Sequence, residues 1–499
     1  MSRLFTPLTI LTLLALISGP PAKASDTSPV PIVITPVDQA TASELLQTDE
    51  DKKLDQQLAD LQKAIEAPTF QTLPSDTQFQ DLNLAAKLAF ARDQPRTAYE
   101  YLVRASDMPQ ATSGQWLVRM QAASQLGAES DAVRSLSVIA QRWPEQVAKL
   151  EVRLIYQVLS GAAGLSPGER LAAYRALYVM HWTLHGGIEP SRVWRDFVLL
   201  LLDQGHSQEA IDVSTHVTDV YALVAMRADR RFDGVVAAHP AQFDINAAGE
   251  RELRALEAAS DAAPKSLELK CRVIYALFQQ QHYAAMLAAT DSIYLAIRST
   301  NSPEALYLDY SDQYALFLNL RSYALARNGR WDEAASELSD ASASGRTDQL
   351  INLGGLYCRM GRAKDALAAI ARVVSTNAYG AMQLEWVRLD AAVQLGDQVQ
   401  VSKSMEYMSG HSADAPNAYM KALRSTKQLD RLGELLVAEL KDPNERQDTL
   451  LNIQHYTSVP GTHREMEDAA LWRKVIARNE VQAAIKKVGR VESYHLEQP

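Results

Sequence analysis

The chain has 499 residues and a net charge of −10, with 47% hydrophobic and 22% charged residues. An acidic chain without a basic block is a poor ligand for nucleic acid or an anionic lipid surface, so neither is expected as a partner. The hydrophobic share is ample for a core, and the length allows two or three globular domains or one extended solenoid.

Residues 1–24 read as a signal peptide. Arg3 supplies the positive start, "LTILTLLALI" (8–17) the apolar centre, and Ala22-Lys23-Ala24 a small-x-small cleavage site. Ten apolar residues fall short of the roughly 20 that a membrane-spanning helix needs. No later stretch is apolar enough either, so no integral span is expected. Neither Cys271 nor Cys358 lies near the cleavage site, which excludes a lipoprotein. An exported, periplasmic protein is the expectation. Residues 25–46 are punctuated by prolines and read as an extended leader. An amphipathic helix is expected within 47–70, where Leu54, Leu58, Leu61 and Ile65 form one stripe. That stripe either docks on the body of the protein or pairs with another chain.

From residue 71 onward the pattern is helix, short turn, helix, with almost no strand signal. Repeats fill 71–150 and 266–460; the stretch 151–265 is degenerate, with one clear unit at 191–220. The clearest unit is "LINLGGLYCRMGRAKDALAAIARVV" (350–374). Leu350, Leu353, Gly354 and Tyr357 fall on its first helix, Gly361 at the turn, and Ala366, Ile370 and Val373 on its second. The unit before it carries Leu318, Ser322, Leu325, Gly329, Trp331, Ala334 and Leu338. Earlier copies show Leu82, Ala86 and Ala98, then Ala132, then Trp194 and Ala210. Small and large residues recurring at this spacing, with a period near 34, closely resemble the tetratricopeptide repeat (TPR). The resemblance implies an all-α, TPR-like helix-turn-helix solenoid (an α-α superhelix). Residues 461–499 are expected to close it as a C-terminal capping helix and tail. It also gives a reason for the glycine pair Gly354-Gly355, since each glycine costs a helix interior roughly 0.5–1 kcal/mol. In that family the first of the two marks the close approach of the hairpin's helices; Gly355 has no such family role.

Sites for chemistry are sparse. His181 and His185 stand four apart on what reads as one helix, but Trp182 takes the place where a metalloprotease helix carries Glu. No metal site is expected. A nucleophile elbow and a phosphate-cradling glycine loop are missing, and paired carboxylates fall on solvated faces. The repeats run nearly to Pro499, which leaves no room for a catalytic unit after them. The chain is expected to be no enzyme and to take no cofactor. Cys271 and Cys358 fall on first helices two units apart, too distant for a disulfide, so two free thiols are expected.

What the resemblance implies about function is a groove lined by first helices. Its positions, carried onto this chain, are Arg192, Arg195 and Leu199, then Asn319, Tyr323 and Arg327, then Asp348, Ile351 and Arg359. Arg327 and Arg359 share one repeat position and could face a single ligand carboxylate. The Lys and Asn with which chaperone-binding members hold an acidic tail are absent from the matching positions. The expected function is that of a non-catalytic repeat protein of the cell envelope, gripping a protein or peptide segment in its concave face. The alternative is a structural scaffold or accessory subunit of an envelope assembly, such as a polysaccharide or outer-membrane export machine.

Overall fold

The computed structural model describes residues 49–342, 347–457 and 461–499; the expected signal peptide and leader lie outside them. The described residues form two compact units, one up to Trp182 and one from Thr183 to Pro499.

The first unit opens with α1 (Asp49–Glu66), followed by the hairpin α2 (Ser75–Ala91) and α3 (Pro95–Ser106). The stripe on α1 docks on this hairpin. Leu58 packs with Leu88, Ala89 and Ala98, and Ile65 packs with Leu82, Ala86 and Leu102. Arg92 clamps Asp55 of α1 with two hydrogen bonds, 2.6 and 3.0 Å long. A second hairpin, α4 (Ser113–Gln125) and α5 (Glu129–Arg142), carries a buried guanidinium at its seam with the first. Arg119 stacks on Trp116 and reaches Asp131 at 2.7 Å and Asp107 at 2.9 Å, so its charge is paired although it is 1% exposed. Then come α6 (Val152–Gly161) and α7 (Pro167–Val179). Ser166 and Glu169 form a reciprocal capping box at the start of α7. Leu82, Ala86, Ala98 and Ala132 are all buried.

The second unit repeats the hairpin. Its pairs are α8 (Ser191–Asp203) with α9 (Ser207–Ser214), then, after α10 (Val220–Ala228) and α11 (Ile245–Ala262), α12 (Leu267–Gln279) with α13 (Tyr283–Arg298). There follow α14 (Tyr310–Arg327) with α15 (Trp331–Ala341), and α16 (Thr347–Arg359) with α17 (Ala363–Ile370). Next are α18 (Ala378–Leu395) with α19 (Gln398–Gly410), and α20 (Pro416–Ser425) with α21 (Leu429–Lys441). A left-handed residue closes the turn inside each pair of both units: Asp93, Gly127, Gly205, Gln281, Gly329, Gly361, Gly396 and Lys427, at φ between 53° and 78°. One turn recurring with one backbone conformation marks the fold as a TPR-like solenoid.

At Gly354 the hairpin logic is visible in atoms. A β-carbon there would lie 2.8 Å from Ile370 Cγ2 on α17 and 2.9 Å from Val387 Cγ1 on α18. Three helices meet on a bare backbone. At Gly355 the same carbon would meet only Trp386, at 3.4 Å.

The run of pairs in this unit returns on itself. After α21, the short α22 (Arg446–Asn452) packs against α10. That contact explains the sequence "VYALVAMRA" of α10, which is apolar on every side and buried at every position except Arg227. The end of the chain is not one helix. It comprises β1 (His455–Tyr456), α23 (His463–Ile476), α24 (Asn479–Val488) and β2 (Ser493–Tyr494), the two strands pairing in parallel. Val481, Ala484 and Ile485 of α24 join the apolar cluster of Leu432, Leu436 and Leu440 on α21, covering the last pair.

Candidate functional site

The first helices α12, α14, α16 and α18 lie in succession, and the end of the chain crosses the face they share. Thr462 caps α23 by accepting from the Glu465 amide at 3.1 Å, while the Glu465 carboxylate accepts from the amides of Gly461 and Thr462 at 2.7 and 3.0 Å. The same carboxylate faces Arg327 of α14 at 3.5 Å and Arg359 of α16 at 3.8 Å. One residue earlier, Arg464 grips both oxygens of Asp390 on α18 at 2.9 and 3.0 Å. Further along, Asp468 accepts from Arg424 of α20 at 2.7 Å. Four consecutive pairs thus hold α23 by charge-assisted contacts.

Beyond α24 the chain leads into β2 and then bends at His495 and Leu496. The Arg490 amide donates to the Ala228 carbonyl at 2.9 Å, and Gly489 passes so near that a β-carbon would lie 2.2 Å from that oxygen. Only glycine fits there. Arg227 pairs with Glu492 at 2.9 Å. The His455 amide donates to the Glu492 carbonyl, and the Thr457 amide to the Tyr494 carbonyl, each at 2.9 Å. Tyr494 and Leu496 turn inward and are buried, while Ser493 and His495 face outward.

Glu497 is the most fully held residue of this tail. Its amide donates to the Gln279 carbonyl at 2.8 Å, and its carbonyl accepts from Tyr221 Oη at 2.7 Å. Its side chain accepts from Tyr283 Oη at 2.5 Å and from the Arg327 guanidinium. Burial pushes the Glu497 carboxyl above the usual range, with Arg327 and Tyr283 pulling the other way. Burial also works against the charge of Arg327, but Glu497 and Glu465 outweigh it and raise the guanidinium's pKa. Arg327 therefore stays charged between two carboxylates.

This arrangement corrects the expected open groove. Arg327 and Arg359 do face one carboxylate, but it is Glu465 of the same chain. Arg195, Asn319 and Ile351 are only 3, 3 and 7% exposed, so they do not line an accessible surface. Arg195 lies under the closing seam, bonded to Asp196 at 2.9 Å with Asp448 of α22 at 4.0 Å. Asn319 is held between neighbouring first helices and Ile351 belongs to the core around Cys358 and Val387. Tyr323 is half-buried, stacked on Phe278 and lying under Arg359. Arg192 and Leu199 are half-buried, and Asp348 is exposed. The residues expected to pack the hairpins lie as follows. Trp194, Ala210, Ala334, Leu353, Gly354 and Ala366 are buried, Tyr357 is half-buried beside Arg362, and Gly361 is exposed at its turn.

The two histidines do not share a helix face. α7 ends at Val179, His181 sits in the following turn at φ 54°, and His185 opens a single 3-10 turn. Among the described residues no cluster of His, Cys, Asp and Glu is placed to hold a metal ion. Cys271 and Cys358 are buried and form no disulfide, and burial pushes both thiols up, away from the reactive thiolate. Among the described residues no helix is long and apolar enough to cross a membrane. The residues missed by sequence reasoning are Tyr221, Gln279 and Tyr283 and the tail that they hold. Two signals pointed there: the all-round apolar α10, and the alternation of Tyr494 and Leu496 with polar neighbours.

No family model matches the chain, and no curated protein matches it in sequence. Among solved structures it is similar to Rap protein complexed with competence and sporulation factor, at 13% identity and a TM-score of 0.32 over 87% of this chain and 99% of that one. It is also similar to the Cut9–Hcn1 hetero-tetramer of APC/C (12% identity, TM-score 0.23, 89% of this chain and 97% of that one). A third is the P58(IPK) TPR domain (12% identity, TM-score 0.19, 75% and 99%). These likenesses are faint, and the fold rests on the recurring hairpin itself.

Proposed function

We propose that this chain is a non-catalytic, exported helical-repeat protein of the cell envelope, residing in the periplasm, that binds a protein or peptide segment on the first-helix face of its second unit. One observation supports the reading: this unit already holds a stretch of its own chain, residues 489–497, beside those helices through main-chain hydrogen bonds and a buried carboxylate. A surface that satisfies the main-chain donors and acceptors of a chain segment has the chemistry of a peptide receptor. The same occupancy favours a second reading, the envelope scaffold, because a face filled in cis leaves other surfaces to make contacts.

Photo-crosslinking residues placed at Leu199, Tyr323 and Asp348 in the full chain, in cells, test both readings. The proposal expects export with cleavage after Ala24 and one discrete adduct, concentrated at Tyr323. A large membrane assembly captured equally from all three positions selects the scaffold. Retention in the cytoplasm contradicts both.

A further inference from the structure

We propose that the part of the first-helix face left open beside α23, on α16, α18 and α20, is a docking site for an acidic segment of a protein partner. A carboxylate side chain of that segment lies between Lys421 and Arg359, and an apolar neighbour lies on Gly355 beside Trp386. The inference rests on the protein-binding reading above and gives it a ligand chemistry. It needs no movement of the chain, because the groups concerned already reach solvent: Lys421 is exposed, and Gly355, Trp386 and Arg359 are half-buried.

Positive charge is left over at this place. The Lys421 ammonium lies over the Trp386 ring, 5.3 Å from its centre, and makes no ion pair among the described residues. The neighbouring carboxylate, Asp468, is taken by Arg424 at 2.7 Å. Arg359 lies over Tyr323 and reaches Glu465 at 3.8 Å, a carboxylate that it shares with the nearer Arg327. Burial lowers Lys421 to about 8, with Arg424 and Arg359 adding to the effect and Asp468 opposing it. An ammonium that reaches solvent and is still held down by the protein around it sits in a recess. A carboxylate brought there supplies the missing counter-charge, and the low-dielectric walls strengthen the pair. Shape agrees with charge. A β-carbon on Gly355 would meet only Trp386 Cζ3, at 3.4 Å, so α16 presents bare backbone next to the edge of an indole. Glycine weakens a helix interior, and no close packing requires it here, unlike at Gly354. The space beside the indole fits an apolar side chain of the partner. The cations, the glycine and the indole come from three successive pairs, so one segment laid along the face touches them all.

The test uses the full chain and a labelled peptide, Ser-Leu-Glu-Leu-Ser with blocked ends, followed by fluorescence anisotropy at low salt. Wild type is expected to bind it at least ~5-fold more tightly than the same peptide with Gln in place of Glu. Lys421→Met keeps a stem over Trp386 and removes the charge, so it should bind the two peptides alike. As pH rises past about 8 the ammonium gives up its proton, and wild type should lose the preference while Lys421→Arg keeps it. Gly355→Leu fills the floor of the recess and should weaken both peptides by at least ~5-fold. Equal binding of the two peptides by wild type overturns the proposal, as does a preference that survives in Lys421→Met. Unchanged binding by a Gly355→Leu chain that folds, by circular dichroism, overturns it as well. Should a variant not fold, the comparison of the two peptides on wild type decides. Absence of the preference with a discrete adduct at Tyr323 sinks this inference alone, whereas a preference without any partner adduct in cells sinks the broader function.

Discussion

At Gly354 and Gly355 two identical residues, side by side on one helix, are under opposite physical demands. A methyl at Gly354 meets Ile370 Cγ2 and Val387 Cγ1, which belong to β-branched side chains and have little freedom to swing aside. Overpacking of this kind costs about 1–3 kcal/mol, against the roughly 0.5–1 kcal/mol that alanine gains in helix propensity. Gly354→Ala is expected to lower unfolding free energy by about 1–2 kcal/mol in urea titrations. Gly355→Ala meets only Trp386, at 3.4 Å, and should raise stability by up to ~1 kcal/mol. Equal effects of the two substitutions would contradict the close approach of α16, α17 and α18. Gly354 was legible because the reason for it is local: its hairpin partner lies a few residues beyond the turn. Gly489 was not, since the carbonyl that excludes a side chain there belongs to Ala228, far away in sequence.

Between elements, the joint of α21 and α22 carries a titrating group. The Glu439 carboxylate accepts from Thr449 Oγ1 at 2.9 Å and is pushed up to about 7, mainly by burial and further by Glu445 and Asp448. A carboxyl raised in the folded state favours folding below its ordinary pKa, and that contribution is lost as pH rises through about 7. Glu439→Gln keeps an acceptor for Thr449 and removes the ionisation. Thermal melts should show the variant more stable than wild type at pH 8, by about 1–3 kcal/mol, with the gap closing towards pH 4.5. A gap independent of pH would place the titration elsewhere. Among single elements the leucine stripe of α1 was well foretold, because its spacing is encoded within the helix itself. The helix expected to carry both His181 and His185 was not, because a left-handed residue stops it at a position without glycine.

For the whole of the second unit, the array of hairpins was legible and its closure was not. Hairpins are built from contacts within about one repeat, which period and residue size reveal. The closure joins α22 to α10, and the tail joins Glu497 to Tyr221 across 276 residues, distances at which no spacing rule operates. The central claim is that the inner, first-helix face is filled by the chain's own tail, anchored by Arg327 and Glu497. A double-mutant cycle on Arg327→Ala and Glu497→Ala, read from urea unfolding of the full chain at several protein concentrations, tests it most directly. The expected result is a coupling of at least ~1 kcal/mol, independent of concentration. Additivity to within ~0.5 kcal/mol would contradict it.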